Sequence, residues 1–218
     1  MTIRVLLVDD DPLVRSGLRL MLGAAGDVEV VGEAADGAEV QELVERLRPD
    51  VVLMDIRMPG LDGLAATERL RGLAEPPEIV MLTTFNADEH VLRALRAGAA
   101  GFVLKDTPPG EIVDAVRRVA AGDPVLSPAV TERLIAHVTG SARDARSARR
   151  SLDALGERER EVAVAIGQGK SNAEIAAELF MSLPTVKTHV SRILAKLGLN
   201  NRVQIALLAH DAGLTSGP

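Results

Sequence analysis

Three consecutive aspartates, Asp9, Asp10 and Asp11, follow the apolar run Ile3-Arg4-Val5-Leu6-Leu7-Val8, and a fourth, Asp55, follows Val51-Val52-Leu53-Met54. Carboxylates placed just beyond the ends of apolar strands collect at one edge of a parallel sheet, where the ligand crevice of such sheets lies. Acids gathered there raise one another's proton affinity unless a cation sits among them. Oxygen-only donors suit Mg²⁺, which keeps several waters and accepts one or two carboxylates. Two further strand ends add Thr83-Thr84 after Glu78-Ile79-Val80-Met81-Leu82, and Lys105 after Gly101-Phe102-Val103-Leu104. A hydroxyl, an ammonium and a divalent cation together stabilise the equatorial oxygens of a transferring phosphoryl group, a mostly electrostatic task.

The elements that must position these residues read clearly. Strand candidates at 3–8, 28–33, 50–54, 78–82 and 101–104 alternate with helix-period segments at about 13–24, 37–47, 62–73, 87–97 and 109–121. This alternation predicts an α/β fold, a doubly wound five-stranded parallel sheet over residues 1–121. Pro49, Pro76-Pro77 and Gly98 fall where helices should stop. From Gly122 the alternation ceases. Ser127-Pro128 opens a short helix near 128–138, and Thr139 to Ser151 contains no large apolar residue, which predicts a flexible tether. Residues 122–150 are therefore expected to be a linker.

Residues 151–218 read as a small all-α domain of four helices, at about 157–167, 172–179, 184–197 and 201–211. Ser171 stands three residues before Glu174, a capping-box spacing. Ser182 can cap the third helix, with Pro184 in its first turn. That helix carries Thr185, Lys187, Thr188, Ser191 and Arg192 on polar faces opposite the stripe Val186, Val190, Ile193, Leu194 and Leu197. Two short helices joined by the turn Phe180-Met181-Ser182 make a helix-turn-helix, whose second helix suits a DNA major groove. Thr185, Lys187, Thr188, Ser191, Arg192 and Lys196 are the candidate DNA contacts, and His189 suits either a phosphate contact or packing. The last helix is apolar nearly all round. One face can enter the domain core and the other needs a partner, so Val203, Ala206 and Leu207 are expected at a homodimer contact.

The charge distribution supports the division. Residues 1–121 carry 13 basic and 21 acidic side chains, whereas residues 151–218 carry seven of each, and Leu183 to Leu197 holds three bases and no acid. The net charge of −6 thus does not exclude local binding to nucleic acid. With no cysteine, nothing calls for an oxidising compartment or a thiolate metal site. No apolar run approaches a membrane span and no signal stretch opens the chain; a cytoplasmic protein without membrane contact is expected.

Val8-Asp9-Asp10, the stretch Asp55-Ile56-Arg57-Met58-Pro59-Gly60-Leu61-Asp62-Gly63, Thr83 and Gly101-Phe102-Val103-Leu104-Lys105 resemble the receiver domain of two-component response regulators. Ala173-Glu174-Ile175-Ala176, the stretch Ser182 to Val190, Ile193-Leu194, Lys196-Leu197 and Asn201-Arg202 resemble the LuxR-type helix-turn-helix, with Gly156 where that family usually has a capping Thr. Together these imply a response regulator of the NarL/FixJ type, with a flavodoxin-like sheet in the order 2-1-3-4-5. The resemblance implies that Asp55 accepts phosphate from a sensor histidine kinase. It implies Mg²⁺ on Asp10, Asp55 and the main-chain carbonyl of Arg57, with Asp9 helping through water. It gives Thr83 and Lys105 to the phosphoryl group and makes Phe102 a switch position, although core packing alone would also account for that aromatic. It places Lys187, Thr188 and Ser191 toward the DNA groove and predicts a homodimer.

Two other classes compete. A phosphatase or phosphotransferase of the haloacid-dehalogenase kind usually has a second Asp two residues after the nucleophile, where this chain has Arg57. A flavodoxin-like FMN binder needs a phosphate loop after the first strand, where this chain has three acids, and no Walker motif exists. A DNA-binding regulator that needs no phosphorylation is a third reading, against which the complete acidic set stands. Stoichiometric modification of Asp55 without turnover of an external substrate is expected.

Overall fold

The computed structural model describes residues 2–83, 88–126 and 142–214, and it divides into two compact units at Val130/Thr131. The first unit holds strands β1 (Ile3–Val8), β2 (Val28–Ala34), β3 (Val51–Asp55), β4 (Glu78–Thr83) and β5 (Gly101–Leu104). Helices α1 (Pro12–Gly23), α2 (Gly37–Leu47), α3 (Gly63–Arg71), α4 (Asp88–Ala97) and α5 (Pro109–Ala120) alternate with them. The sheet is all parallel in the order β2-β1-β3-β4-β5, as anticipated, so the order reverses beside β1. A sixth strand, β6 (Val125–Leu126), pairs with β5 and extends the sheet at that edge. Only two residues long, it lies below the length at which alternation can be read.

β1, β3, β4 and β5 are mostly apolar because both of their faces are covered, whereas the edge strand β2 carries Glu29 and Glu33 and is only partly buried. Val5, Leu7, Val51, Leu53, Val80, Leu82 and Val103 form one face of the core with Leu18 and Leu22 of α1 and Ile112, Val116 and Val119 of α5. The alternate residues Leu6, Val8, Val52, Met54, Ile79, Met81 and Phe102 are equally buried, and period-two alternation turns them to the other face. Aspartates start three helices by accepting backbone N–H groups: Asp11 from Leu13, Asp36 from Ala38, and Asp62 from Ala65. Asp11 is thus the cap of α1.

The second unit contains α6 (Ala142–Asp153), α7 (Glu157–Gly167), α8 (Asn172–Glu178), α9 (Leu183–Leu197) and α10 (Arg202–Asp211). The last four are the expected helices. α6 corrects the expectation of a flexible tether up to residue 150, while the short helix expected near 128–138 lies outside the described residues. Alanine and arginine are strong helix formers. Ala148 and Leu152 share a face at i, i+4 spacing and are 3% and 1% exposed. They join Leu155, Val162, Ile166, Ile175, Val186, Ile193 and Ile205 in the second core. Arg149 Nε donates to the Ala212 carbonyl at 2.8 Å, closing the end of α10. A small-residue stripe that packs against another helix carries almost no hydrophobic signal of its own, and Leu152 lies just past the polar run.

Leu152→Ala removes a fully buried side chain and is expected to cost the second unit about 2–5 kcal/mol. Urea unfolding followed by circular dichroism reads this directly, and a tether would show no change.

Candidate functional site

The strand register assembles the acidic site. Val8 lies opposite Met54 in the β1–β3 pair, so Asp9 emerges beside Asp55 at the carboxyl edge. Asp55 lies opposite Leu82, and Thr83 opposite Leu104, so Thr83 and Lys105 come out of the next two strands at the same level. The Lys105 N–H donates to the Thr83 carbonyl at 2.8 Å. Each side chain is therefore aimed by the end of a buried strand, the most rigid support the fold offers.

Asp9, Asp10 and Asp55 place carboxylate oxygens within 4.8 Å of one another. Asp9 is fully buried, Asp55 is 6% exposed and Asp10 is open to solvent. Lys105 Nζ stands 2.7 Å from Asp9 Oδ2 and 3.2 Å from Asp55 Oδ2. Asp9 Oδ1 accepts the Asp11 N–H at 3.0 Å, and Asp55 Oδ1 accepts the Ile56 N–H at 2.9 Å. Asp9 Oδ2 is buried and has an ion-pair neighbour but no aligned hydrogen-bond donor. One ammonium faces three carboxylates, so the pocket carries excess negative charge. Burial, reinforced by Asp9, pushes the Asp55 carboxyl up against the opposing pull of Lys105. Burial alone would lower the Lys105 ammonium, but the short contact with Asp9 and the charges of Asp55 and Asp9 outweigh it and hold the ammonium up. An oxygen-only set and surplus negative charge fit a hard divalent cation.

Asp10 and the loop residues Ile56 to Pro59 and Asp62 line a cavity of about 430 Å³. Arg57 is part of this lining, beside the acids. Gly63 begins α3 so close to β3 that a Cβ there would stand 2.0 Å from the Asp55 carbonyl oxygen, which explains the glycine. Thr83 is 6% exposed, and Phe102 is 1% exposed and packs in the core. Sequence reasoning missed Arg15, whose guanidinium donates to the Asp9 carbonyl at 2.5 Å and to Glu33 Oε2 at 3.1 Å. Its helical spacing alone carries no sign of that contact.

In the second unit Ser182 caps α9 through the Thr185 N–H at 3.2 Å, and Gly198, with a φ of +64°, ends it. Thr185, Lys187, Thr188, Ser191 and Arg192 are all exposed, while Val186 and Ile193 are buried. The Thr188 and Ser191 hydroxyls donate to the carbonyls of Pro184 and Lys187, so toward a ligand they offer lone pairs. His189 is half-buried, with its Nδ1 enclosed, the packing alternative.

Lys196 is differently engaged: its Nζ donates to Glu159 Oε2 at 2.6 Å, and the same oxygen accepts the Gly156 N–H at 3.0 Å. Glu159 makes only the reciprocal half of a capping box, accepting the N-cap N–H, while Gly156 offers no side-chain acceptor to the first turn of α7. Glu159 also ties that start to the end of α9. Arg202, only 8% exposed, donates to Asn172 Oδ1 and to the Lys170 carbonyl, tying α10 to the start of α8.

Val203 is 5% exposed and Ala206 and Leu207 are half-buried, and α10 packs against both α6 and α7. The expectation that one whole face of the last helix is bare fails for Val203, since the chain supplies that cover itself.

Residues 5–117 match the response regulator receiver domain family, and residues 153–209 match the luxR family of bacterial regulatory proteins. The transcriptional regulatory protein LiaR of Bacillus subtilis (strain 168) is 41% identical over 208 residues, 95% of this chain and 97% of LiaR. The nitrate/nitrite response regulator protein NarL of Escherichia coli (strain K12) is 38% identical over 207 residues, 95% of this chain and 94% of NarL. Among solved structures, the response regulator ChrA of a heme-sensing two-component system aligns over 98% of both chains at 39% identity, with a TM-score of 0.54. The chain belongs to the two-component response regulators of the NarL/FixJ type, a receiver domain followed by a LuxR-type DNA-binding domain.

The bond to Lys196 is the main cause that holds the Glu159 carboxyl below its ordinary 4.5, followed by the bond from Gly156. A carboxyl lowered by folding stabilises the fold at pH above its unfolded value, and that contribution is lost as pH falls through the folded value. With Lys196 48% exposed, solvent screens the pair, and Glu159→Gln is expected to cost roughly 0.5–1 kcal/mol at pH 7. The gap between the two proteins should close in acid below pH 4.5, as read by urea unfolding across pH.

Proposed function

We propose that this protein is a phosphorylation-controlled transcription regulator whose Asp55 accepts a phosphoryl group in a Mg²⁺-dependent reaction. The observation that carries the reading is the convergence of Asp9, Asp10, Asp55, Thr83 and Lys105 at one sheet edge. Asp9, Asp10, Asp55 and the main-chain carbonyl of Arg57 would hold the cation. When bound, it neutralises the carboxylates and draws off charge from the phosphoryl oxygens.

The chain's own groups do the rest. Asp55 is held by the Ile56 N–H and Lys105. Its carboxylate oxygen attacks the phosphorus of a phosphohistidine on a sensor histidine kinase. The new O–P bond gives an acyl phosphate, the N–P bond breaks, and the released imidazole takes a proton. Lys105 binds the phosphoryl oxygens together with the Thr83 hydroxyl. The modification adds roughly −1.5 to −2 charges at Asp55, and Thr83 and Phe102 form the switch that responds. No external substrate is turned over, so the protein is not an enzyme in the usual sense.

The reader is α9. Thr185, Lys187, Thr188, Ser191 and Arg192 meet double-stranded DNA in the major groove. Lys196 contributes charge from the helix end while its ammonium braces Glu159. A homodimer reads two half-sites through contacts at α10, where Ala206 and Leu207 retain exposed surface and Val203 supports them from beneath. Phosphorylation promotes that dimer and raises occupancy of a promoter site. Among the described residues no helix is long and apolar enough to cross a membrane, and the reading places the protein in the cytoplasm, where its DNA is.

The test is operator affinity measured before and after treatment with a small acyl-phosphate donor and Mg²⁺, on a site selected from randomised DNA. Treatment should tighten binding about tenfold or more, which is roughly 1.4 kcal/mol. Asp55→Asn should leave the untreated affinity in place and abolish the increase. Equal tightening in Asp55→Asn would remove Asp55 from the mechanism.

A further inference from the structure

The wall of the acidic pocket is held from outside by the residue that also starts α2. Asp36, between β2 and α2, caps α2 by accepting the Ala38 N–H at its Oδ1, 2.8 Å away. The same oxygen accepts the Leu61 N–H at 3.2 Å, from the loop that follows β3. Gly60 in that loop has a φ of +75°, and a Cβ there would stand 2.4 Å from Asp36 Oδ2, so the turn rests directly on the carboxylate. The neighbouring Gly37 brings the two segments together on its own side, where a Cβ would lie 2.4 Å from the Leu61 carbonyl oxygen. At its far end the loop is closed by the Gly63 N–H donating to the Ile56 carbonyl at 3.0 Å. Between these two fastenings lie Arg57, Met58 and Pro59, which line the cavity together with Asp10.

We infer that Asp36 is a positioning residue for the cation site: its carboxylate pins Gly60 and Leu61 and so fixes where the Arg57 carbonyl is offered. The inference rests on the reading of the pocket as a Mg²⁺ site. The physical logic is that of an outer-shell partner. A loop ligand free to wander must be ordered when the cation binds, and that entropy weakens binding. A loop already fastened loses nothing. A role confined to capping α2 would require only the bond from Ala38.

Three substitutions separate the roles. Asp36→Asn keeps an Oδ1 acceptor for both N–H groups. Asp36→Ser keeps a helix cap but is one bond shorter and does not reach Leu61. Asp36→Ala loses both. Mg²⁺ affinity of the full-length protein, measured by titration calorimetry, is the readout, with thermal unfolding run alongside. Loss of an outer-shell partner typically weakens metal binding roughly 10–100-fold. The expected result is a weakening of about tenfold or more in Asp36→Ser and Asp36→Ala, with Asp36→Asn within about twofold of the parent. The thermal midpoint of Asp36→Ser should stay near the parent's.

Parental affinity in Asp36→Ser would overturn the inference and leave Asp36 as a helix cap only. Weakening of Asp36→Asn as great as that of Asp36→Ala would also overturn it, because charge and not the bond to Leu61 would then matter. Should Asp36→Ala fail to fold, the serine variant decides alone. An absence of Mg²⁺ binding in the parent protein would instead refute the cation site itself, and this inference with it.

Discussion

Mutual repulsion among carboxylates is the constraint around which the first unit is organised. Asp9 is fully buried, Asp55 nearly so, and Asp10 stands beside them, with the Lys105 ammonium as the adjoining positive charge. A fold tolerates such a concentration only where something recovers the loss. Here the strands that deliver the acids are apolar and buried from Val5 to Val8 and from Val51 to Met54, so the core stabilises what the pocket destabilises. The pocket in turn is preorganised to receive positive charge, and burial has already weakened the hold of water on Asp55. Stored electrostatic strain and chemical competence are the same feature seen from two sides.

The second unit solves a different problem, the exact presentation of one helix. α9 is fastened at its start by Ser182 and at its end through Lys196 to Glu159. Glu159 also bonds the Gly156 N–H at the start of α7. The ion pair and the start of α7 are therefore linked: the carboxylate that accepts the Gly156 N–H is itself held by Lys196 of α9. α6 adds a further brace through Ala148, Leu152 and Arg149. Exposed polar and cationic groups on α9 thus stand on a base held by four other helices.

Much of this was legible in the sequence. The strands of the first unit are mostly short apolar runs bounded by acids, glycines and prolines, so their existence and parallel sense followed from alternation, while the sheet order followed from the resemblance to receiver domains. The acidic site was legible because its residues occupy strand ends, and a parallel sheet gathers strand ends. What escaped reading was non-local or quiet. The bond from Leu61 to Asp36 spans 25 residues, and the contact of Arg15 with the Asp9 carbonyl depends on a rotamer. α6 has only alanines and Leu152 as its hydrophobic signal, too little to outweigh a polar run in a one-dimensional reading. The packing of α6 against α10 was hidden for the same reason, and the burial of Val203 was not legible either.

The central claim is that one aspartate in a cation-requiring pocket takes up a phosphoryl group. Intact-mass spectrometry after incubation with acetyl phosphate and Mg²⁺ tests it most directly. The account predicts about one added phosphate per chain, some 80 Da located at Asp55, carrying the charge expected of a phosphorylated side chain. It predicts no addition when EDTA replaces Mg²⁺. An unmodified chain in the presence of Mg²⁺, or equal modification with EDTA, would contradict it.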